Sequence, residues 1–149
     1  MRTILAAWRE RLGTVRAVVR LAGWVLVALG LAKVAAVGQG ESAGLGLEEE
    51  GALRWERWAL AQGVGETVAG LATVLLPSPM NSVVLVGVGS GFLLWQVFES
   101  PSSGPCPCLA GLRSMADWVQ AYEREWRVSL AVWFFLVGVL SWRSEQGRS

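Results

Sequence analysis

The sequence predicts an all-α membrane protein whose chain crosses the bilayer four times as an up-and-down, left-handed helical bundle. Three observations indicate this fold class. Apolar residues make up 53% of the 149 residues, charged residues make up only 17% of them, and four long apolar segments follow one another along the chain. A soluble domain would carry about 25% charged residues. A soluble bundle of buried helices is the alternative, but segments of this length with almost no polar face argue against it.

The four apolar segments set the predicted topology. They cover residues 17–37, 58–76, 82–98 and 126–142. Each has roughly 17–21 residues, the length that an α-helix needs to cross a hydrocarbon core of about 30 Å. Helix is the expected form, because lipid offers no partner to an unpaired backbone group. We therefore expect residues 1–149 to form a single membrane domain. A cleaved signal peptide is the alternative for the first segment, which exceeds the usual apolar core of about 7–15 residues.

The distribution of arginine predicts the orientation. Basic residues are concentrated in the two tails: Arg2, Arg9, Arg11, Arg16, Arg143 and Arg148. The loop at 38–57 is acidic instead. Because positively charged flanks stay on the cytoplasmic side, both termini are expected there, and the loops at 38–57 and 99–125 face outward. Tryptophans near the predicted span ends fit an interfacial belt: Trp55, Trp58, Trp95, Trp126 and Trp142.

The motif Cys106-Pro107-Cys108 is the strongest candidate for chemistry, and it lies in the outward loop 99–125. The chain has no His and no other cysteine, so we expect neither a metal site nor a scaffold of several disulfides. A disulfide across one residue closes a very small ring, and the resulting strain makes the bond easy to reduce. It also closes almost no loop, so it would stabilise the fold little. Cys106 and Cys108 are therefore predicted to exchange electrons with a partner thiol or disulfide; two incidental surface cysteines are the alternative.

Residues 109–126 are predicted to form an amphipathic helix on the outer membrane surface, before the last span. Its apolar side would carry Leu112, Met115, Ala116, Val119 and Tyr122. Cys108 would then lie near the N-terminus of this helix, where the helix dipole favours the thiolate form.

Two charged residues, Lys33 and Glu66, fall inside predicted spans, where charge is costly and is usually paired or functional. Their predicted depths differ by roughly 6 Å, which a lysine side chain can reach across. One interpretation is an ion pair that fixes helix register. The other is a proton or quinone site near the cysteines. No residue pattern specifies a bound cofactor; a quinone is the one that the second interpretation would allow.

Gly87 and Gly91 form a small-xxx-small pair in the third segment, a pattern typical of close helix packing in membranes. They support a rival, non-enzymatic function, in which the chain is an assembly or anchoring subunit that binds another membrane protein through this glycine-rich face. The net charge of +1 says nothing about nucleic acid. Because aromatic residues are not interleaved with basic ones, nucleic acid is not an expected partner.

The order of these features resembles the MauE/DoxX group of redox-associated four-helix membrane proteins. The resemblance is carried by Ala28-Leu-Gly-Leu-Ala-Lys33, by Gly65-Glu66-Thr-Val-Ala-Gly-Leu71 and by Cys106-Pro-Cys108-Leu109. It implies a multi-pass protein of the bacterial inner membrane with its cysteine pair and surface helix in the periplasm. It further implies a role in disulfide formation or electron transfer to an exported thiol or disulfide protein. The sequence leaves open whether the chain is itself an enzyme, as a thiol–disulfide oxidoreductase component would be.

Overall fold

The computed structural model describes residues 2–40, 48–77, 79–98 and 123–146, and within these ranges the regular structure is entirely helical. The helices are α1 (Arg2–Gly38), α2 (Glu49–Leu75), α3 (Met80–Phe98) and α4 (Glu123–Gln146). Within these ranges the predicted all-α class is confirmed, with one helix at each of the four predicted apolar segments. Each predicted apolar segment lies within one helix, apart from Leu76 just beyond α2. Cys106, Cys108 and the predicted surface helix up to residue 122 lie outside the described residues.

Two of the helices begin well before the apolar segments that they contain. α1 starts at Arg2, and α2 starts at Glu49 inside the region expected to be a loop. The loop prediction is wrong from residue 49 onward. Glu49 and Glu50 occupy the first turn of α2, where carboxylates interact favourably with the helix dipole. α2 ends before Pro77, because proline cannot continue the backbone hydrogen-bond pattern.

α1 and α2 run antiparallel, and glycines allow their backbones to approach closely. A Cβ atom added at Gly63 would lie 2.7 Å from the carbonyl oxygen of Gly30. A Cβ atom added at Gly70 would lie 2.6 Å from the carbonyl oxygen of Gly23. Real Cβ atoms do not approach backbone oxygen so closely, so a larger residue at either position would push the two helices apart.

α3 and α4 form a second antiparallel pair with its own close contacts. A Cβ atom at Gly89 would lie 2.6 Å from the backbone nitrogen of Phe135, and one at Gly138 would lie 2.8 Å from that of Val86. By contrast, Gly87 and Gly91 are exposed, and a Cβ atom at either would meet nothing within 4 Å. Within the described ranges, neither glycine therefore packs against another helix of this chain, and close packing of Gly87 and Gly91 against a helix of a partner stays a prediction. Two residues advance a helix by about 200°, so Gly89 lies almost opposite its two neighbours.

The two helix pairs meet around an apolar core. Side chains of α1, α3 and α4 build its main cluster: Val19, Ala22, Leu26, Leu85, Phe134 and Val137. A smaller cluster joins the last turn of α1 to α2 through Ala36, Trp55 and Ala59. α2 also contacts α3, where the ring centroids of Trp58 and Trp95 are 5.7 Å apart.

The outer surface of the four helices is rich in large apolar side chains, whereas several polar groups are inside. Trp24, Val68 and Leu140 are 56%, 60% and 61% exposed. The buried polar residues are Lys33, Glu66, Thr73, Ser82 and Ser141. Soluble proteins rarely expose apolar surface so extensively. Two segments, 13–38 and 125–146, are long and apolar enough to cross a membrane, and α3 contributes a shorter apolar stretch at 80–95.

The close approach of α1 and α2 predicts opposite effects for two neighbouring glycines. Gly63→Ala should lower the free energy of unfolding by about 1–3 kcal/mol, because the new methyl group overlaps the backbone of α1. Gly65→Ala is the matched control: the site is exposed with open space around it, and alanine favours helix by up to about 1 kcal/mol. Thermal unfolding of the purified variants, followed by circular dichroism, measures both. Equal effects at the two positions would contradict the observed packing.

Candidate functional site

Lys33 of α1 and Glu66 of α2, predicted to lie within reach of each other, form a buried ion pair. Lys33 Nζ donates a hydrogen bond to Glu66 Oε2. The side chains are only 1% and 5% exposed, respectively. Lys33 is among the largest fully buried side chains in the described part of the chain. A charge enclosed in this way is tolerated because its partner is also charged and hydrogen-bonded to it.

The glycine contacts between α1 and α2 place this ion pair. Gly63 lies one turn before Glu66, and a Cβ atom there would come within 3.1 Å of the Cβ atom of Lys33. The close approach at Gly30 and Gly63 therefore brings the backbones together beside the two charged side chains. α3 encloses the pair from another side, since the Phe92 ring centroid is 6.0 Å from Lys33 Nζ. At that distance the face of the ring attracts an ammonium group.

The second carboxylate oxygen of Glu66 distinguishes this site from a simple ion pair. Glu66 Oε1 is buried and has no hydrogen-bond partner among the described residues. A carboxylate oxygen accepts hydrogen bonds but cannot donate them when ionised. Buried oxygens of this kind are usually satisfied, so Oε1 is free to accept a hydrogen bond from a hydroxyl group, a water molecule or a proton donor. The site combines a fixed ammonium with one available acceptor.

Trp55 lies inside the helix assembly, whereas the sequence predicts it for the interfacial belt. It is only 7% exposed and packs with Ala36 and Ala59. Its indole Nε1 is buried without a hydrogen-bond partner among the described residues. Trp55 precedes Glu66 by about three helical turns and lies on the same side of α2. The spacing of residues 55, 59, 63 and 66 indicates this burial from the sequence, because these positions share one face of a helix.

The ion pair lies near the ends of α1 and α3 but well inside α2. Lys33 is five residues from the end of α1 and Phe92 is six residues from the end of α3, which corresponds to about 8–9 Å along each helix axis. α2 extends further on this side, because Glu66 is 17 residues from its first residue, Glu49, or about 26 Å along the axis. The end of α3 is also where the chain continues into the segment with Cys106 and Cys108. Both cysteines lie outside the described residues, so the structure reports only where their segment begins.

A second buried polar contact joins α3 and α4 towards the opposite end. Ser82 Oγ donates a hydrogen bond to Ser141 Oγ at 2.8 Å, and both residues are buried. Paired hydroxyls of this kind hold helices together where the surroundings are apolar. Within the described ranges, no three side chains of the His, Cys, Asp or Glu types meet to hold a metal ion.

No family model, curated protein or solved structure matches this chain. The class that the described residues define is therefore structural: an all-helical protein with an apolar exterior and an enclosed Lys–Glu pair. The resemblance to the MauE/DoxX group stays a prediction from sequence.

The ion pair predicts strong coupling between its two members. Lys33→Met leaves Glu66 buried without its partner and should lower the free energy of unfolding by about 3–5 kcal/mol. The double variant Lys33→Met/Glu66→Met removes both charges and should recover most of that loss. Chemical unfolding of the purified variants measures the coupling.

The exposed pair of Arg54 and Glu50 provides the control, because their closest nitrogen and oxygen atoms are 3.4 Å apart in solvent. Arg54→Met should change the free energy of unfolding by no more than about 1 kcal/mol. If the Lys33 and Glu66 substitutions were instead simply additive, the two side chains would not be energetic partners.

Proposed function

We propose that this chain is an integral membrane protein, an up-and-down bundle of four transmembrane helices with both termini in the cytoplasm. The apolar exterior around buried polar side chains is the observation that carries this proposal. Leu71, Val83 and Leu136, on α2, α3 and α4, are 40%, 55% and 50% exposed, and lipid is the environment in which such a surface is stable. The basic tails place the end that holds the ion pair on the outer side.

At that outer end we propose thiol–disulfide exchange by Cys106 and Cys108. A thiolate of an exported partner attacks the sulfur of Cys106, the Cys106–Cys108 bond breaks, and Cys108 leaves as a thiolate. The partner's second thiolate then attacks the partner sulfur of the mixed disulfide. This forms the partner's disulfide and releases Cys106 as a thiolate. Two electrons and two protons have moved from the partner dithiol to the cysteine pair. The same steps run backward when the partner's disulfide is the better oxidant.

The position of the ion pair supports a role for it beneath the cysteine segment. Glu66 Oε1 is the buried acceptor available there, and it suits a proton released or taken up when thiols and disulfides interconvert. A quinone is compatible with the same groups, since a quinol hydroxyl could donate to Oε1. Such a cofactor, when bound, would supply or remove electron pairs. The alternative role is structural, with the pair fixing the register of α1 against α2.

Trapping tests the exchange chemistry. In the backward direction, Cys106 attacks the partner's disulfide and Cys108 then resolves the mixed disulfide. Cys108→Ser removes that resolving thiol, so the adduct between Cys106 and the exported partner should persist and be recovered on a non-reducing gel. Cys106→Ser/Cys108→Ser should yield no such adduct. Recovery of the same adduct from the double variant would sink the exchange proposal. The double variant Lys33→Met/Glu66→Met separates the two roles of the ion pair: exchange that continues at the normal rate assigns it to structure alone.

Labelling of intact cells tests the orientation. A membrane-impermeant maleimide should react with reduced Cys106 and Cys108 from outside, and pretreatment with reductant should increase the labelling if the pair is oxidised. The control is Ser149→Cys in a chain with both native cysteines replaced by serine; its tail is expected inside and should label only after lysis. Cysteines that label only after lysis would contradict the orientation and the exchange function together.

The exposed positions of Gly87 and Gly91 favour the rival function, a non-enzymatic assembly or anchoring subunit. Because both glycines face open space, another membrane protein could pack closely against this side of α3. Under this alternative, Gly87→Leu/Gly91→Leu should abolish assembly with the partner, measured by co-purification, while both serine variants remain functional. Under the exchange proposal the opposite pattern is expected.

A further inference from the structure

Two arginines lie one turn apart on one side of α1. With about 100° of rotation per residue, Arg16 and Arg20 fall within about 40° of each other. We call these two positions the arginine stripe. Both are part of one continuous helix, since α1 runs without a break from Arg2 to Gly38. Both side chains are exposed.

The described arginines at this end are not used for ion pairs within the protein. Within the described ranges, neither Arg16 nor Arg20 forms a salt bridge, and the exposed Arg143 of α4 forms none either. α4 ends beside this part of α1, since Val15 packs against the cluster that contains Val19 and Val137. The arginines of both helices therefore add to one positive surface.

The charge of this end differs from that of the rest of the chain. Among the described side chains at this end, the basic residues are Arg16, Arg20 and Arg143, and the acidic residue is Glu145. The net charge of the whole chain is only +1, so the remainder is acidic overall. A partner for this surface must be negatively charged. It must also lie beside α1 where the apolar part of that helix begins.

The dimensions of α1 place the stripe at a membrane surface. Its 37 residues span about 55 Å, whereas the hydrocarbon core is about 30 Å thick. The apolar part begins at Gly13, so the preceding turns extend beyond the hydrocarbon. Just past the stripe, Leu21 and Trp24 are 57% and 56% exposed and suit contact with acyl chains. The apolar stretch of 26 residues from Gly13 to Gly38 is about 39 Å long, which exceeds the hydrocarbon core by about 9 Å. Arg16 therefore lies near the boundary of the hydrocarbon, and Arg20, one turn deeper, reaches the lipid phosphates with its long side chain.

We propose that the arginine stripe binds the phosphate groups of anionic lipids in the cytoplasmic leaflet. A guanidinium group matches a phosphate with two parallel hydrogen bonds. The excess positive charge favours an anionic headgroup over a zwitterionic one. A lipid is favoured over an acidic protein or a nucleic acid because exposed apolar side chains follow the stripe directly. The inference rests on the membrane placement in the proposed function, but it is independent of the cysteine chemistry.

Lipid titration of the purified full chain tests the inference. In zwitterionic detergent, phosphatidylglycerol or phosphatidylcholine is added, and the apparent affinity is read from the rise in Tm and from lipid retained in native mass spectrometry. Phosphatidylglycerol should bind more tightly than phosphatidylcholine, and salt at about 0.5 M should weaken its binding. Arg16→Gln/Arg20→Gln should weaken phosphatidylglycerol binding by about 30-fold.

Arg54→Gln/Arg57→Gln is the matched control, since it removes two exposed arginines from α2 near the opposite end; phosphatidylglycerol binding should be unchanged. Arg16→Lys/Arg20→Lys keeps the charge and should stay within a few-fold of the native affinity, which separates charge loss from a folding defect. Equal binding of the two lipids, or undiminished binding by Arg16→Gln/Arg20→Gln, overturns the inference. A preference for an acidic protein or nucleic acid over phosphatidylglycerol overturns it as well.

Extraction of membranes at high pH separates the two possible failures. If carbonate releases the native chain from membranes, the membrane placement fails, and the proposed function and this inference fail together. If the chain stays in the membrane without a phosphatidylglycerol preference, only the lipid inference fails.

Discussion

Lys33 and Glu66 are enclosed between helices whose other inward side chains are mostly apolar, and each charge depends on the other. The arrangement requires α1 and α2 to keep one register, because a shift of one residue would turn a charged side chain towards apolar neighbours. The glycines favour the same register through close contact between the two backbones. Gly30 and Gly63 permit the approach that brings the two side chains into contact, and Gly23 and Gly70 continue it one step further along the pair. Charge pairing and backbone contact therefore specify the same geometry.

The two helix pairs use different means of packing. α1 and α2 combine glycine contacts with a buried ion pair, whereas α3 and α4 combine glycine contacts with a hydrogen bond between Ser82 and Ser141. In both cases a pair of polar groups lies within an otherwise apolar contact between helices, and large apolar side chains are exposed on the outside. Soluble proteins rarely expose apolar surface so extensively, and this exposure supports the proposal that the chain lies in lipid.

The two ends of the helix assembly carry different chemical groups, and a different role is proposed for each end. One end holds the Lys33–Glu66 pair and leads into the segment that contains the two cysteines. The other end carries Arg16, Arg20 and Arg143, which form no salt bridge within the described ranges. A redox exchange at one surface and a phosphate contact at the other would use separate residues. The ion pair lies nearer the first, where its one available oxygen, Glu66 Oε1, faces no described donor.

The sequence by itself determined the helical class and the four apolar segments, because composition and helical period can be read locally. It also predicted that Lys33 and Glu66 lie within reach of each other, from their similar depth and the cost of unpaired charge, but only the structure shows that they form an ion pair. Only the tertiary structure decided that Gly89 packs against α4 while Gly87 and Gly91 face outward, and that Trp55 lies inside. The reason is that the rotation of each helix about its own axis is set by its neighbours: apolar residues surround all sides of these helices, so their sequence alone does not say which side faces in.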